Sequence, residues 1–333
     1  MSLESRPEAP DPHLLEEALA SLAVRSQLEP EGLRWRLDER MERRRSTVFA
    51  LTLESPAASA VATAFYKAPF LPAELQDERR LSRLRDVVIR SQTLGDEFAE
   101  RTADIGVAVN VVLAFDLSTF ESVTLGLEGR PMGSPLRHLR SRAGRRDAVE
   151  ACFRVGRAVS ILETLGHDET TSADIAAARK TLRRKADRAN SYLSSEEVTR
   201  LQVAMDRLLD EAVAGGMPVA HGDLSPTNVL MMKGRTGIID FIWARQVPGY
   251  DLARFVHRLR HSTLGWAPWT ERLVEATLHG YGNREILAHA GWRFAHMSNL
   301  LTALQRFDRL AQMGRGAARK ALSELRVGLA EIA

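Results

Sequence analysis

Val219-Ala220-His221-Gly222-Asp223-Leu224-Ser225-Pro226-Thr227-Asn228-Val229-Leu230, followed by Gly237-Ile238-Ile239-Asp240-Phe241, is the stretch that decides the fold. Two apolar strand segments flank a polar loop, and the next strand ends in an aspartate. Asp223 and Asn228 stand five positions apart on the loop, and a hairpin gathers them with Asp240. Two carboxylates and an amide carbonyl are hard oxygen ligands of the kind Mg²⁺ takes alongside water and phosphate oxygens. A carboxylate that the metal leaves free can accept a proton from an attacking hydroxyl. Phosphoryl transfer needs both: metal on the phosphates and a residue that orients the nucleophile.

The pattern H-G-D-L-x-x-x-N-V-L, then I-I-D-F, then Gly249-Tyr250-Asp251-Leu252-Ala253-Arg254, resembles the catalytic and metal-binding loops of the aminoglycoside phosphotransferase and choline kinase group. The resemblance implies an α+β, bilobal, protein-kinase-like fold with a small β-rich N-terminal lobe and a larger, mainly helical C-terminal lobe. It implies ATP or GTP with Mg²⁺ between the lobes, and a small hydroxylated acceptor such as a sugar, aminoglycoside or amino alcohol. On the matching positions, Asp223 would be the catalytic base and His221 would support the loop. Asn228 and Asp240 would hold the metal. Asp251 would brace the loop while capping the next helix.

The same resemblance requires an upstream lysine on a strand, paired with a helix glutamate. The chain holds 41 arginines and only five lysines, and Lys67 alone precedes Lys180. Lys67 ends the expected strand Val61-Ala62-Thr63-Ala64-Phe65-Tyr66-Lys67. Glu97 is the favoured partner, with Glu100 and Glu78 as alternatives. Glu97 and Glu100 share a helix face, so spacing does not separate them. The turn Glu54-Ser55-Pro56-Ala57-Ala58-Ser59, where the nucleotide phosphates should be covered, has no glycine. Hydroxyls of Ser55 and Ser59, or backbone amides, would have to substitute. The backbone from Leu125 to Leu127 resembles the hinge that would bond the purine edge.

Working outward, residues 1–12 read as a loose tail and 13–130 as the nucleotide-binding lobe. Residues 131–333 read as the catalytic and acceptor lobe. Helix periodicity is expected where Leu14, Leu15, Ala18, Leu19 and Leu22 recur, from Pro72 to about Ile105, and over 147–164, 171–191, 195–213 and most of the chain beyond Leu252. Strands are expected at Thr47–Leu53, Ala60–Lys67, Val109–Leu117 and Glu121–Leu127. With 44% hydrophobic and 27% charged residues the composition is that of a globular protein. The net charge of +3 is too mild to argue for nucleic acid. The single cysteine, Cys152, allows no internal disulfide. The N-terminus lacks a signal-peptide pattern and no apolar run reaches membrane-spanning length, so a cytoplasmic location is expected.

No Gly-Lys dipeptide exists for a Walker A loop, and no G-x-S-x-G elbow occurs. His257 and His261 lie four apart but lack a third metal ligand. Arg43-Arg44-Arg45, after Asp38, Glu39 and Glu42, reads as a solvated, salt-bridged face. The Arg137–Arg146 cluster could instead meet an anionic substrate. Trp266, Trp269 and Trp292 could line an acceptor pocket or pack in a helical core. Two rival functions stay open: a non-catalytic nucleotide-binding scaffold, and a kinase acting on a protein or a lipid-linked glycan.

Overall fold

The computed structural model describes residues 7–26, 32–43, 46–55, 58–69, 78–133, 141–165, 170–189, 191–262 and 267–312, with 316, 319, 322–323, 326–327 and 329–330 beyond. Arg44, Arg45, Trp266, Arg137 and the centre of the 54–59 turn lie outside these residues, as do the side chains of Ser59 and His261. The chain divides into two units. One comprises Met1–Asp104, Ala108–Arg130 and Met232–Ile239; the other comprises Ile105–Val107, Pro131–Met231 and Asp240–Ala333.

The first unit begins with helix α1 (Pro12–Ser26) and strands β1 (Arg34–Glu42), β2 (Ser46–Ser55) and β3 (Ala58–Pro69). Helix α2 (Glu78–Ala103) follows, then β4 (Val107–Val109), β5 (Val112–Phe115) and β6 (Ser122–Leu125). Five strands form an antiparallel sheet in the order β1-β2-β3-β6-β5. Alternation puts Phe49, Leu51 and Leu53 of β2 on the same face as Ala64, Tyr66 and Ala68 of β3. Leu14, Ala18 and Leu22, at helical spacing on α1, close over them. Tyr66 is anchored there. Its hydroxyl donates to Glu121 Oε2 at 2.6 Å and accepts from the Asp11 amide at 3.0 Å. Lys67, the next residue, therefore faces the other way and is exposed.

Strand β1 does not follow from sequence periodicity, because charges occupy both of its faces. It lies at the sheet edge, where Arg36 pairs with Asp38 at 2.9 Å and with Glu54 at 2.7 Å. Such pairs add little stability, but charge along an edge discourages pairing with other chains. Strands β5 and β6 are shorter than expected because a tight turn separates them. Asp116 Oδ1 accepts from the Ser118 amide at 2.6 Å, and Phe120 takes φ 60°.

Helices α3 (Arg142–Leu162), α4 (Ser172–Ala189) and α5 (Ser195–Val213) come after the short β7 (Arg130–Pro131). A β segment interrupts with β8 (Val219–Ala220), β9 (Val229–Met232), β10 (Arg235–Ile238) and β11 (Ala244–Arg245). Helices α6 (Tyr250–Ser262), α7 (Ala267–Tyr281) and α8 (Ala290–Gln312) complete the order. Helix α5 starts where its sequence says it should. Ser194 and Glu197 form a reciprocal capping box. Leu182 of α4, Leu201, Met205 and Leu209 of α5, Ala253 of α6 and Ala295, Leu301 and Leu304 of α8 share one core. No helix among the described residues is long and apolar enough to cross a membrane.

Helices α3 and α7 touch through their backbones. A Cβ added at Gly156 would overlap the Thr277 carbonyl oxygen, and one at Gly280 would overlap that of Phe153. Alanine ordinarily stabilises a helix interior by about 1 kcal/mol over glycine. Here the overlap is with backbone that has nowhere to go. Gly156→Ala should therefore lower stability by about 1–3 kcal/mol. Thermal denaturation checks this, and a raised melting temperature would show that the two helices do not meet at this glycine.

Candidate active site

The site is assembled in the second unit, around the loop between β8 and β9. Strand β8 pairs with β11, Ala220 against Ala244, so the residues after Ala220 lie beside those before Ala244. The Ile242 amide donates to the His221 carbonyl at 2.8 Å, extending this contact by one residue. The Phe241 ring lies 4.3 Å from the His221 ring and 4.7 Å from Trp243. The segment that carries Asp240 is thereby fastened to the segment that carries Asp223.

His221 is 1% exposed, and its Nδ1 accepts from the Asp223 amide at 3.2 Å. A neutral imidazole that accepts at Nδ1 carries its proton on Nε2. Gly222 has φ 83°, and a Cβ there would press on Ile242 and Ala244. Glycine suits both demands at once. Both loop amides before Asp223 end on one carboxylate: Asp251 accepts from His221 N at 2.5 Å and Gly222 N at 3.1 Å. Burial pushes the Asp251 carboxyl up to about 7, while those two donors pull it back. Asp251 lies one residue inside α6, and its oxygens are spent on the loop rather than on capping that helix.

Asn228 closes the loop from its other end. Its Nδ2 donates to the Asp223 carbonyl at 3.0 Å. That contact sets the amide so that Oδ1 is the group left to accept; its one contact is with Thr227 Oγ1 at 3.5 Å. Asp240 is exposed, takes φ 63°, and its carboxylate has no partner among the described residues. Asp240 and Asn228 thus offer hard oxygens in the chemistry Mg²⁺ prefers. Among the described residues no group of three or more His, Cys, Asp or Glu forms a cage for a metal. Any ion here would need water or substrate oxygens as well.

Asp223 is about half exposed, and one of its oxygens is held by Arg254 NH2. Sequence reasoning quoted Arg254 within its motif without giving it a role. The contact spans 31 positions, and only the packing of α6 against the loop creates it. A third carboxylate fixes where α6 begins. Glu163, partly buried and pushed upward by desolvation, accepts from the Gly249 amide at 2.7 Å and from the Tyr281 hydroxyl at 2.6 Å.

The other named residues lie in the first unit. Lys67 pairs with Ser122 and Val48 in the sheet register, and its ammonium meets no carboxylate among the described residues. Glu97 instead lies 3.3 Å from Arg101, and Glu78 lies 2.9 Å from Arg85; Glu100 is exposed. Ser55 ends β2. Within 125–127, the Leu125 amide donates to Val111 at 2.9 Å and the Gly126 amide to Thr63 at 2.7 Å. The Leu127 amide has no backbone partner among the described residues, so it is the donor of that trio left for a ligand.

Of the aromatic candidates, Trp269 is flanked by Arg145 at 4.9 Å and Arg272 at 4.6 Å. It lines a cleft of about 940 Å³ with Phe153 and His279. Trp292 packs against the helical core and stacks on His296. His257 is buried.

Known proteins place this geometry. No curated protein matches the chain. An aminoglycoside phosphotransferase candidate from Ralstonia eutropha is 15% identical, over 94% of this chain and 95% of its own, with a TM-score of 0.50. An aminoglycoside phosphotransferase in a streptomycin–ATP ternary complex is 13% identical over 98% and 99%, with a TM-score of 0.49. A choline kinase from Cryptosporidium parvum is 9% identical over 96% and 94%, also at 0.49. The family model described as the phosphotransferase enzyme family matches residues 96–297, more than half of the chain and the whole of the loop region above. The chain belongs to that phosphotransferase family and is a small-molecule kinase with a protein-kinase-like fold.

Proposed function

We propose that this kinase moves the γ-phosphoryl group of ATP to a hydroxyl of a small polar acceptor, with Asp223 as the base. The observation that carries this reading is the loop itself. Asp223 is half exposed, its backbone is held by His221 and Asn228 while Asp251 holds the two amides before it, and the Asp240 carboxylate has no partner among the described residues. Asp240 and Asn228 Oδ1 would hold Mg²⁺, which neutralises phosphate charge when bound. The acceptor oxygen forms a bond to the γ-phosphorus, the bond from that phosphorus to the β-bridging oxygen breaks, and ADP leaves. The hydroxyl proton goes to the Asp223 carboxylate.

Arg254 holds one oxygen of that carboxylate and leaves the other for the acceptor hydroxyl. His221, through Nδ1, sets the Asp223 backbone and acts by positioning. In the first unit, Lys67 would steady the nucleotide phosphates and the Leu127 amide would meet the purine edge. Positioning and charge neutralisation would supply most of the rate, with the base adding about 10²–10⁴-fold.

Three outcomes are expected. Asp223→Ala should cut turnover at least about 100-fold while Mg-ATP still raises the melting temperature; turnover like the parent would remove Asp223 from the role of base. Asp240→Ala should abolish the Mg-dependent part of that thermal shift, and an unchanged shift would sink the metal role. Lys67→Arg should reduce kcat/KM for ATP at least about 10-fold, since a planar guanidinium does not replace a compact ammonium on phosphate. Equal kinetics in that variant would place Lys67 outside the nucleotide site.

A further inference from the structure

Positive charge gathers around Arg254, the partner of Asp223. Lys185 of α4 is partly buried and reaches α8. Its Nζ donates to Ser298 Oγ at 2.7 Å and approaches the Ser298 carbonyl at 3.4 Å. No carboxylate pairs with it among the described residues. Burial, then the charges of Arg254, Arg184 and Arg258, push the ammonium down to about 8. Arg184 and Lys185 are on α4, Arg254 and Arg258 are on α6, and both helices pack on α8.

Arg254 is itself incompletely satisfied. One nitrogen holds Asp223, yet its Nε is buried with no hydrogen-bond partner. The Tyr250 hydroxyl lies beside the same guanidinium. Of the carboxylates nearby, Asp223 is the only one that meets this group directly; Asp251 faces the loop amides. A buried guanidinium nitrogen with a spare donor is a costly arrangement, and a partly buried ammonium bonded only to neutral oxygens lacks a counter-charge. They become favourable when an anion completes them.

We propose that the acceptor of this kinase carries an anionic group, a carboxylate or a phosphate monoester, held by Lys185 and Arg254. The inference rests on Asp223 being the base, because Arg254 touches Asp223 and the bound anion would set the acceptor hydroxyl beside it. It also separates this chain from kinases of cationic acceptors. Streptomycin and choline carry positive charge, and Lys185 with Arg254 would repel such molecules from this end of the site. The phosphoryl-transfer step is unchanged; the anion only binds and orients.

The test is an ADP-release assay on the full-length protein with Mg-ATP and matched acceptors. These are neutral sugars and polyols, the corresponding sugar acids and hydroxy acids, sugar monophosphates, and cationic aminoglycosides with choline. An anionic acceptor should exceed its neutral counterpart in kcat/KM at least about 100-fold, and the carboxylate and phosphate arms show which anion is meant. For that acceptor, Lys185→Met should raise KM at least about 10-fold while KM for ATP changes less than about twofold, and Lys185→Arg should recover most of the loss. Preference for neutral or cationic acceptors, or an unchanged acceptor KM in Lys185→Met, would overturn the anion inference and leave the kinase reading standing. Absence of phosphoryl transfer to every class would overturn both.

Discussion

A carboxylate taken out of water must be hydrogen-bonded, and in this protein Asp251 meets that demand through the two amides that precede Asp223. Asp251 is 2% exposed. It has no freedom to look elsewhere for donors, so α6 and the β8–β9 loop must stay in one relation. Glu163 applies a similar constraint two residues before Asp251, on the Gly249 amide. Between them the two acids set the start of α6, and one turn into that helix Arg254 meets Asp223. The positions of Asp223, Arg254 and the loop all follow from where two carboxylates find their donors.

Backbone strain serves the same end. Asp240 occupies the left-handed region at φ 63°, and Trp243 does so at φ 50°. For a residue with a side chain this costs about 1–2 kcal/mol. Stacking of Phe241 between His221 and Trp243 offsets that cost and holds the Asp240 segment against the loop. Residues kept in uncommon conformations concentrate where function needs a fixed side chain. Asp240, exposed and unpaired among the described residues, is such a position.

The scarcity of lysine takes on meaning at two places. Lys67 stands on β3 with its side chain opposite the anchored Tyr66, on a face that needs no packing. Lys185 stands on α4 with its ammonium turned to Ser298 of α8, whereas Arg179 of the same helix pairs with Asp206.

By itself the sequence determined the elements with strong short-range signals. Helix α5 was legible from its periodicity. Strands β2 and β3 were legible from their runs of β-branched and apolar residues. The loop from His221 to Asn228 was legible because its spacing is a local property of one turn. Strand β1 was not, because charges on both faces erase alternation. The shortened β5 and β6 were not, because Asp116 builds its turn through side-chain bonds that composition does not announce. Glu97 was favoured as a partner of Lys67 on spacing, whereas the structure pairs it with Arg101, one helical turn away. Only the tertiary structure decided that Arg254 would hold Asp223 across 31 positions and that Lys185 would reach Ser298 across 113. Such contacts depend on how helices pack, and helix packing is set by the shape of whole faces rather than by any pattern a short window of residues contains.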